Sequence, residues 1–138
     1  MDVDRELCEL AGALDELVSA MNDYATTPTP GTRRRAEKAD RECTDRLAAI
    51  IGAEAAFQFH ASIQACTDVS GRRERLLATL PSRSSIDPAN ATLLQELKHE
   101  GETAIAAFGV AQTAMHAQLA KAAKRDGQMT KATDRTKH

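Results

Sequence analysis

The chain has no tryptophan, one tyrosine and three phenylalanines among its 138 residues. An interior so poor in aromatics must be built from Leu, Ile, Val, Met and Ala, which suits close-packed helices better than a sheet or a roomy ligand cavity. Cysteine is scarce too. Cys8, Cys43 and Cys66 are odd in number and form no Cys-x-x-Cys pair, which argues against a disulfide framework or a zinc clamp and for reduced thiols inside the cell. No apolar run approaches the roughly 18 residues of a membrane span. The opening Met1-Asp2-Val3-Asp4 is acidic where a targeting peptide is basic, so a cytoplasmic location is expected. Phosphate-binding glycine loops and nucleophile elbows are missing. Hydrolase, kinase and dehydrogenase chemistry therefore has no residues to stand on, and no cofactor or metal is expected.

What the chain does have is a spacing. Val3, Leu7, Leu10, Leu14, Leu17, Met21 and Tyr24 alternate by four and three, and so do Leu94, Leu97, Gly101, Ala104, Phe108, Ala111 and Met115. Each set falls on one stripe of an α-helix, the seam along which helices interlock. The fold expected is all-α: an elongated antiparallel bundle of three long helices with coiled-coil-like packing. Its length suits one domain over residues 1–126, followed by a flexible basic tail at 127–138.

The first helix is predicted over Val3 to Tyr24, capped by Asp2 or Asp4. Thr26-Thr27-Pro28-Thr29-Pro30-Gly31 ends it, and Thr32 is placed to cap the second. That second helix carries Cys43, Leu47, Ile50, Ile51, Phe59, Ile63 and Cys66 on a drifting stripe and extends to Leu80. A kink or break is expected at Thr67-Asp68-Val69-Ser70-Gly71, whose side chains compete for helical hydrogen bonds. Phe57 to Ala65 alternates apolar and polar as a strand would, but nothing else in the chain offers a partner strand. Pro81-Ser82-Arg83-Ser84-Ser85 reads as a loop. Asp87-Pro88 then starts the last helix, which is expected to stop near Asp126 with Gly127 as its terminator. Short connections make neighbours antiparallel, which places Leu14 near Cys43 and Phe59 near Phe108.

Charge is unevenly spread although the net value is only −2. Residues 1–31 hold seven acids against the single base Arg5. Arg33, Arg34, Arg35, Lys38 and Arg41 follow directly, and with three helices the returning Lys121, Lys124 and Arg125 join them at one basic pole. That pole, lengthened by Lys131, Arg135 and Lys137, suits an anionic partner such as nucleic acid. The alternative is that Asp15, Glu16 and Asp23 neutralise it across the hairpin.

Reactive residues are few. Glu96 and His99 share the Glu-x-x-His spacing of di-iron bundles, but Leu97 on the seam turns both outward. His60 and His116 sit at the edges of apolar stripes, as amphipathic side chains do. A histidine phosphotransfer module, with His60 or His99 as the phosphate carrier, is a further alternative. The reading favoured by these residues is a non-enzymatic adaptor or assembly module. Helices of unequal length leave an overhang, and Ile63, Cys66, Leu76, Leu77, Leu80, Leu93, Leu94 and Leu97 are expected to lie partly bare on it as a docking surface for a protein partner or a second copy.

Overall fold

The computed structural model describes residues 2–80 and 86–136, with side chains through residue 126. Among these residues there are four helices and no strand: α1 (Val3–Thr26), α2 (Pro30–Ile51), α3 (Ala53–Thr79) and α4 (Pro88–Thr136). The long middle helix expected from the apolar stripe is in fact two, and Gly52 is the reason. Its backbone lies at φ 92° and ψ 161°, a region open in practice only to glycine because a Cβ would crowd the adjoining peptides. The Gly52 amide closes α2 on the Ala48 carbonyl at 3.0 Å, and the Gly52 carbonyl opens α3 by accepting from Ala56 at 3.1 Å. One residue thus turns α3 back along α2.

The other helix starts follow from local chemistry. Asp2 caps α1, its carboxylate accepting from the Arg5 amide at 3.2 Å. Thr29, not Thr32, caps α2: each threonine hydroxyl accepts from the other residue's amide, at 3.1 and 3.0 Å. Pro30 is thereby left at the first helical position, where a missing amide costs nothing. Asp87 accepts from the Asn90 amide at 2.8 Å and starts α4 beside Pro88, as its sequence indicates. The expected loop at residues 81–85 lies outside the described residues.

Two other expectations give way. α3 runs unbroken through Thr67–Gly71, because the Thr67 hydroxyl bonds back to the Gln64 carbonyl at 3.2 Å within the helix and Gly71 serves a neighbour. A Cβ on Gly71 would stand 3.4 Å from the Tyr24 hydroxyl, so its glycine makes room for α1. α4 does not stop at Gly127 but continues as helix to Thr136. The alternating segment Phe57 to Ala65 is helical, with Phe59 and Ile63 buried four residues apart while Phe57 is exposed.

Each helix packs antiparallel on its successor, and one core runs through all four. Leu10, Leu17, Tyr24, Cys43, Leu47, Phe59 and Ile63 are fully buried in it. Leu14 and Cys43 share that cluster, with Phe108, Met115 and Leu119 entering from α4. The rings of Phe59 and Phe108 stand 5.5 Å apart at 37°, the pairing that the antiparallel register predicts. At 49 residues α4 is about twice the length of α1, which has 24, so it must project past its neighbours.

Candidate functional site

The first candidate surface is the tip of the α3–α4 hairpin. Three lateral bonds mark how far the α1–α2 turn reaches: Tyr24 and Arg33 both donate to Glu74, each at 2.8 Å, and Arg73 donates to the Ala25 carbonyl. Everything from Arg75 to Leu80 extends beyond that level, roughly 9 Å at ~1.5 Å per residue. Leu76, Leu77, Leu80 and Leu94 are half-buried there, and Leu93 is 46% exposed. Ile63 and Leu97, grouped with them from the sequence, do not belong to the bare surface. Both lie below the turn and are buried, at 0% and 8% exposure, because the Gly52 hairpin brings α1 and α2 alongside them. Cys66 is half-buried, and burial raises its thiol pKa.

The second candidate lies between the first and last helices, which meet only sparsely. Val18, Met21 and Ala25 of α1, Cys66, Val69 and Ser70 of α3, and Leu97, Gly101, Ile105 and Phe108 of α4 line a groove of about 380 Å³. Val18 and Ile105 stand exposed at its lips. Asn22, Thr67, Arg73, Lys98 and Glu102 supply its polar margin. A shallower recess continues the seam toward the start of α1, between Leu7, Ala11 and Leu14 on one side and His116, Leu119 and Ala123 on the other. Ser70 is 6% exposed on the groove wall, and its hydroxyl has no hydrogen-bond partner among the described residues.

This groove was not anticipated, yet a signal for it exists. Ala11, Val18 and Ala25 repeat every seven residues, one position past Leu10, Leu17 and Tyr24. The apolar arc of α1 is therefore wider than a two-helix seam requires.

The single basic pole does not form. Because Gly52 reverses the chain, the later part of α4 runs beside the start of α1, where Ala123 and Leu119 face Leu7. Lys121, Lys124 and Arg125 thus lie near that end, and Arg33 lies at the opposite end beside Glu74. Most of the α2 cations are also paired. Arg35 donates to Glu16 at 2.8 Å, to Ser19 at 3.1 Å and to Asp23. Its hydrogen bond holds the Glu16 carboxyl below its ordinary pKa, and Glu16 in turn raises the guanidinium. Arg33 also faces Glu37 at 3.9 Å, Lys38 faces Glu42 at 3.9 Å, and Arg46 meets Glu9 at 2.7 Å. Arg34, Arg41, Lys121, Lys124 and Arg125 are exposed and have no ion partner among the described residues. The side chains of Lys131, Arg135 and Lys137 lie outside those described.

Of the described histidines, His60 is the one held in place. Its Nδ1 lies 2.8 Å from Oδ1 of Asp40; that oxygen also accepts from the Thr44 hydroxyl at 3.0 Å, and Oδ2 accepts from the Gln64 side-chain amide at 3.4 Å. Asp40 is 3% exposed, so a buried carboxylate is supplied with donors from both α2 and α3, as burial of a charge demands. This cluster fastens the two helices. The adjacent Cys43 thiol is fully buried, and burial followed by the Asp40 charge pushes its pKa up to about 11, which keeps it protonated and unreactive. Glu96, His99 and His116 are exposed. No group of three or more His, Cys, Asp or Glu among the described residues is arranged to hold a metal ion. No described helix is long and apolar enough to cross a membrane.

Comparison of the chain with family models, with curated proteins and with solved structures finds no match.

Proposed function

We propose that this protein is a non-enzymatic helical interaction module that assembles through the α3–α4 tip, and that the surface fits a second copy of the chain. The observation that carries this reading is the position of Leu76, Leu77, Leu80, Leu93 and Leu94 past the α1–α2 turn, with Leu93 exposed and the other four half-buried among the described residues. Apolar clusters at such a position usually mark association surfaces. Of the charges near the tip, Arg72 pairs with Asp68 and Glu100 and Glu74 with Tyr24 and Arg33, while Arg75 is exposed. A leucine patch flanked by these pairs can meet its own copy about a two-fold axis, as an isologous contact requires, with Arg75 the charge left at its margin.

Sedimentation of the wild-type chain and of a Leu76→Glu/Leu93→Glu variant tests the proposal. The wild type should sediment with the mass of two chains at micromolar concentration, and the variant as a folded single chain. A wild type that stays monomeric at every concentration, or a variant that dimerises as well as the wild type, would overturn it.

A further inference from the structure

We propose that the α1/α4 groove is a binding site for a small anionic amphiphile, an alkyl or aryl body ending in a carboxylate. This site is separate from the tip and stands whether or not the tip leucines mediate assembly. Its volume of about 380 Å³ falls within the roughly 300–1,000 Å³ typical of small-molecule sites. Such sites combine an apolar lining with a few polar groups that fix the ligand's orientation, and the groove distributes its groups along one axis.

Its Ala25 end is cationic. Arg73 is anchored there by its bond to the Ala25 carbonyl and has no carboxylate partner. The α3–α4 register set by Phe59 and Phe108 puts Lys98, which also has no ion partner among the described residues, level with Val69 and Ser70. Ser70 lines the same stretch of the groove, and its hydroxyl has no protein partner among the described residues. A carboxylate oxygen seated there would accept from that hydroxyl. Beyond this end the walls are Met21, Val18, Ile105 and Phe108, and the one acid on the margin, Glu102, stands a turn farther along α4. The polarity is therefore set: carboxylate toward Arg73 and Lys98, apolar body toward Phe108.

Gly101 supplies the means to test the site without touching the charges. A Cβ there would rest 3.6 Å from Cγ1 of Val69, an ordinary contact, so Gly101→Ala is sterically tolerated, whereas Gly101→Leu projects a side chain into the groove. Titration calorimetry with dodecanoate below its micellar concentration should show one saturable site per chain. Dodecyltrimethylammonium, of matching body and opposite charge, should bind at least tenfold more weakly, and vesicles of anionic phospholipid should not bind. Lys98→Glu should weaken dodecanoate at least tenfold, Gly101→Ala several-fold, and Gly101→Leu should abolish binding. Leu93→Glu should change nothing. Equal binding of the cation, adsorption to vesicles in place of free dodecanoate, or a folded Gly101→Ala chain with undiminished affinity would overturn the assignment.

Discussion

The Tyr24 hydroxyl donates to Oε1 of Glu74, fifty positions downstream, at 2.8 Å, while Arg33 donates to Oε2 of the same carboxylate at 2.8 Å. One side chain of α3 thus ties the end of α1 to the start of α2. Tyr24 is 1% exposed and its pKa is raised, first by burial and then by the hydrogen bond to Glu74. Removing the acceptor leaves a buried hydroxyl unsatisfied. Glu74→Ala should therefore cost about 1–3 kcal/mol in urea unfolding. In a Glu74→Ala/Tyr24→Phe background the loss should be smaller than the sum of the two single losses, since no orphaned hydroxyl remains.

Gly52 carries the reversal between α2 and α3 at a positive φ. Any other residue there is strained, by about 1–3 kcal/mol. Gly52→Ala should lower the urea midpoint by that amount, whereas Gly12→Ala, at a helical site with open space around the added Cβ, should leave the midpoint unchanged or raise it. Equal tolerance at both positions would show that the hairpin does not depend on glycine.

Stability should fall in alkali. The Cys43 thiol has a folded pKa of about 11 against an ordinary value of 9.0. Below pH 9 both states keep the proton and its contribution is fully present. Above pH 9 the unfolded chain loses the proton first, so stability drains away until the folded pKa is reached. The loss is about 3 kcal/mol at ~1.4 kcal/mol per pH unit. Tyr24, also raised, acts with the same sign. Thermal melts between pH 8 and pH 11 should show the decline, and Cys43→Ala should flatten part of it.

The three thiols should also differ in chemistry at neutral pH. Cys8 is exposed, Cys66 half-buried and Cys43 fully buried. Alkylation followed by peptide mass analysis should find Cys8 modified first, Cys66 later, and Cys43 only on unfolding.

Duplex binding gauges the cation distribution. Arg33, Arg35 and Lys38 face acids and Lys121, Lys124 and Arg125 lie at the other end, so the exposed cations among the described residues are divided between two ends. Mobility-shift titration with a nonspecific DNA duplex at low salt should show no complex at micromolar protein. A complex that weakens steeply with salt would restore the nucleic-acid reading.

Much of this fold could be read from residue spacing, and its failures have local causes. The Phe59–Phe108 contact follows from two heptad stripes and an antiparallel register, both properties of many residues acting together. Gly52 is the opposite case. It is one residue flanked by Ile51 and Ala53, and a lone glycine in such a run can be tolerated inside a helix as easily as it can end one. Thr67–Gly71 looked like the better break because five residues there disfavour helix, but Gly71 is small to admit Tyr24 and Thr67 satisfies its hydroxyl within the helix. Moving the break by some fifteen residues changed which ends meet. The supposed basic pole was lost for that reason, and Ile63 and Leu97 passed from the overhang to the core. The groove went unseen because Val18 and Ile105 lie off the strict seam, and only the three-dimensional spread of α1 from α4 leaves them bare.

The proposed assembly rests on the tip leucines as the surface where this chain meets its partner. Methyl NMR of leucine-labelled protein, followed on dilution from high to low micromolar concentration, tests it most directly. Shifts confined to Leu76, Leu77, Leu80, Leu93 and Leu94, with Leu10, Leu17 and Leu47 unmoved, are the result expected. Spectra that do not change with concentration, or changes centred on other leucines, would contradict it.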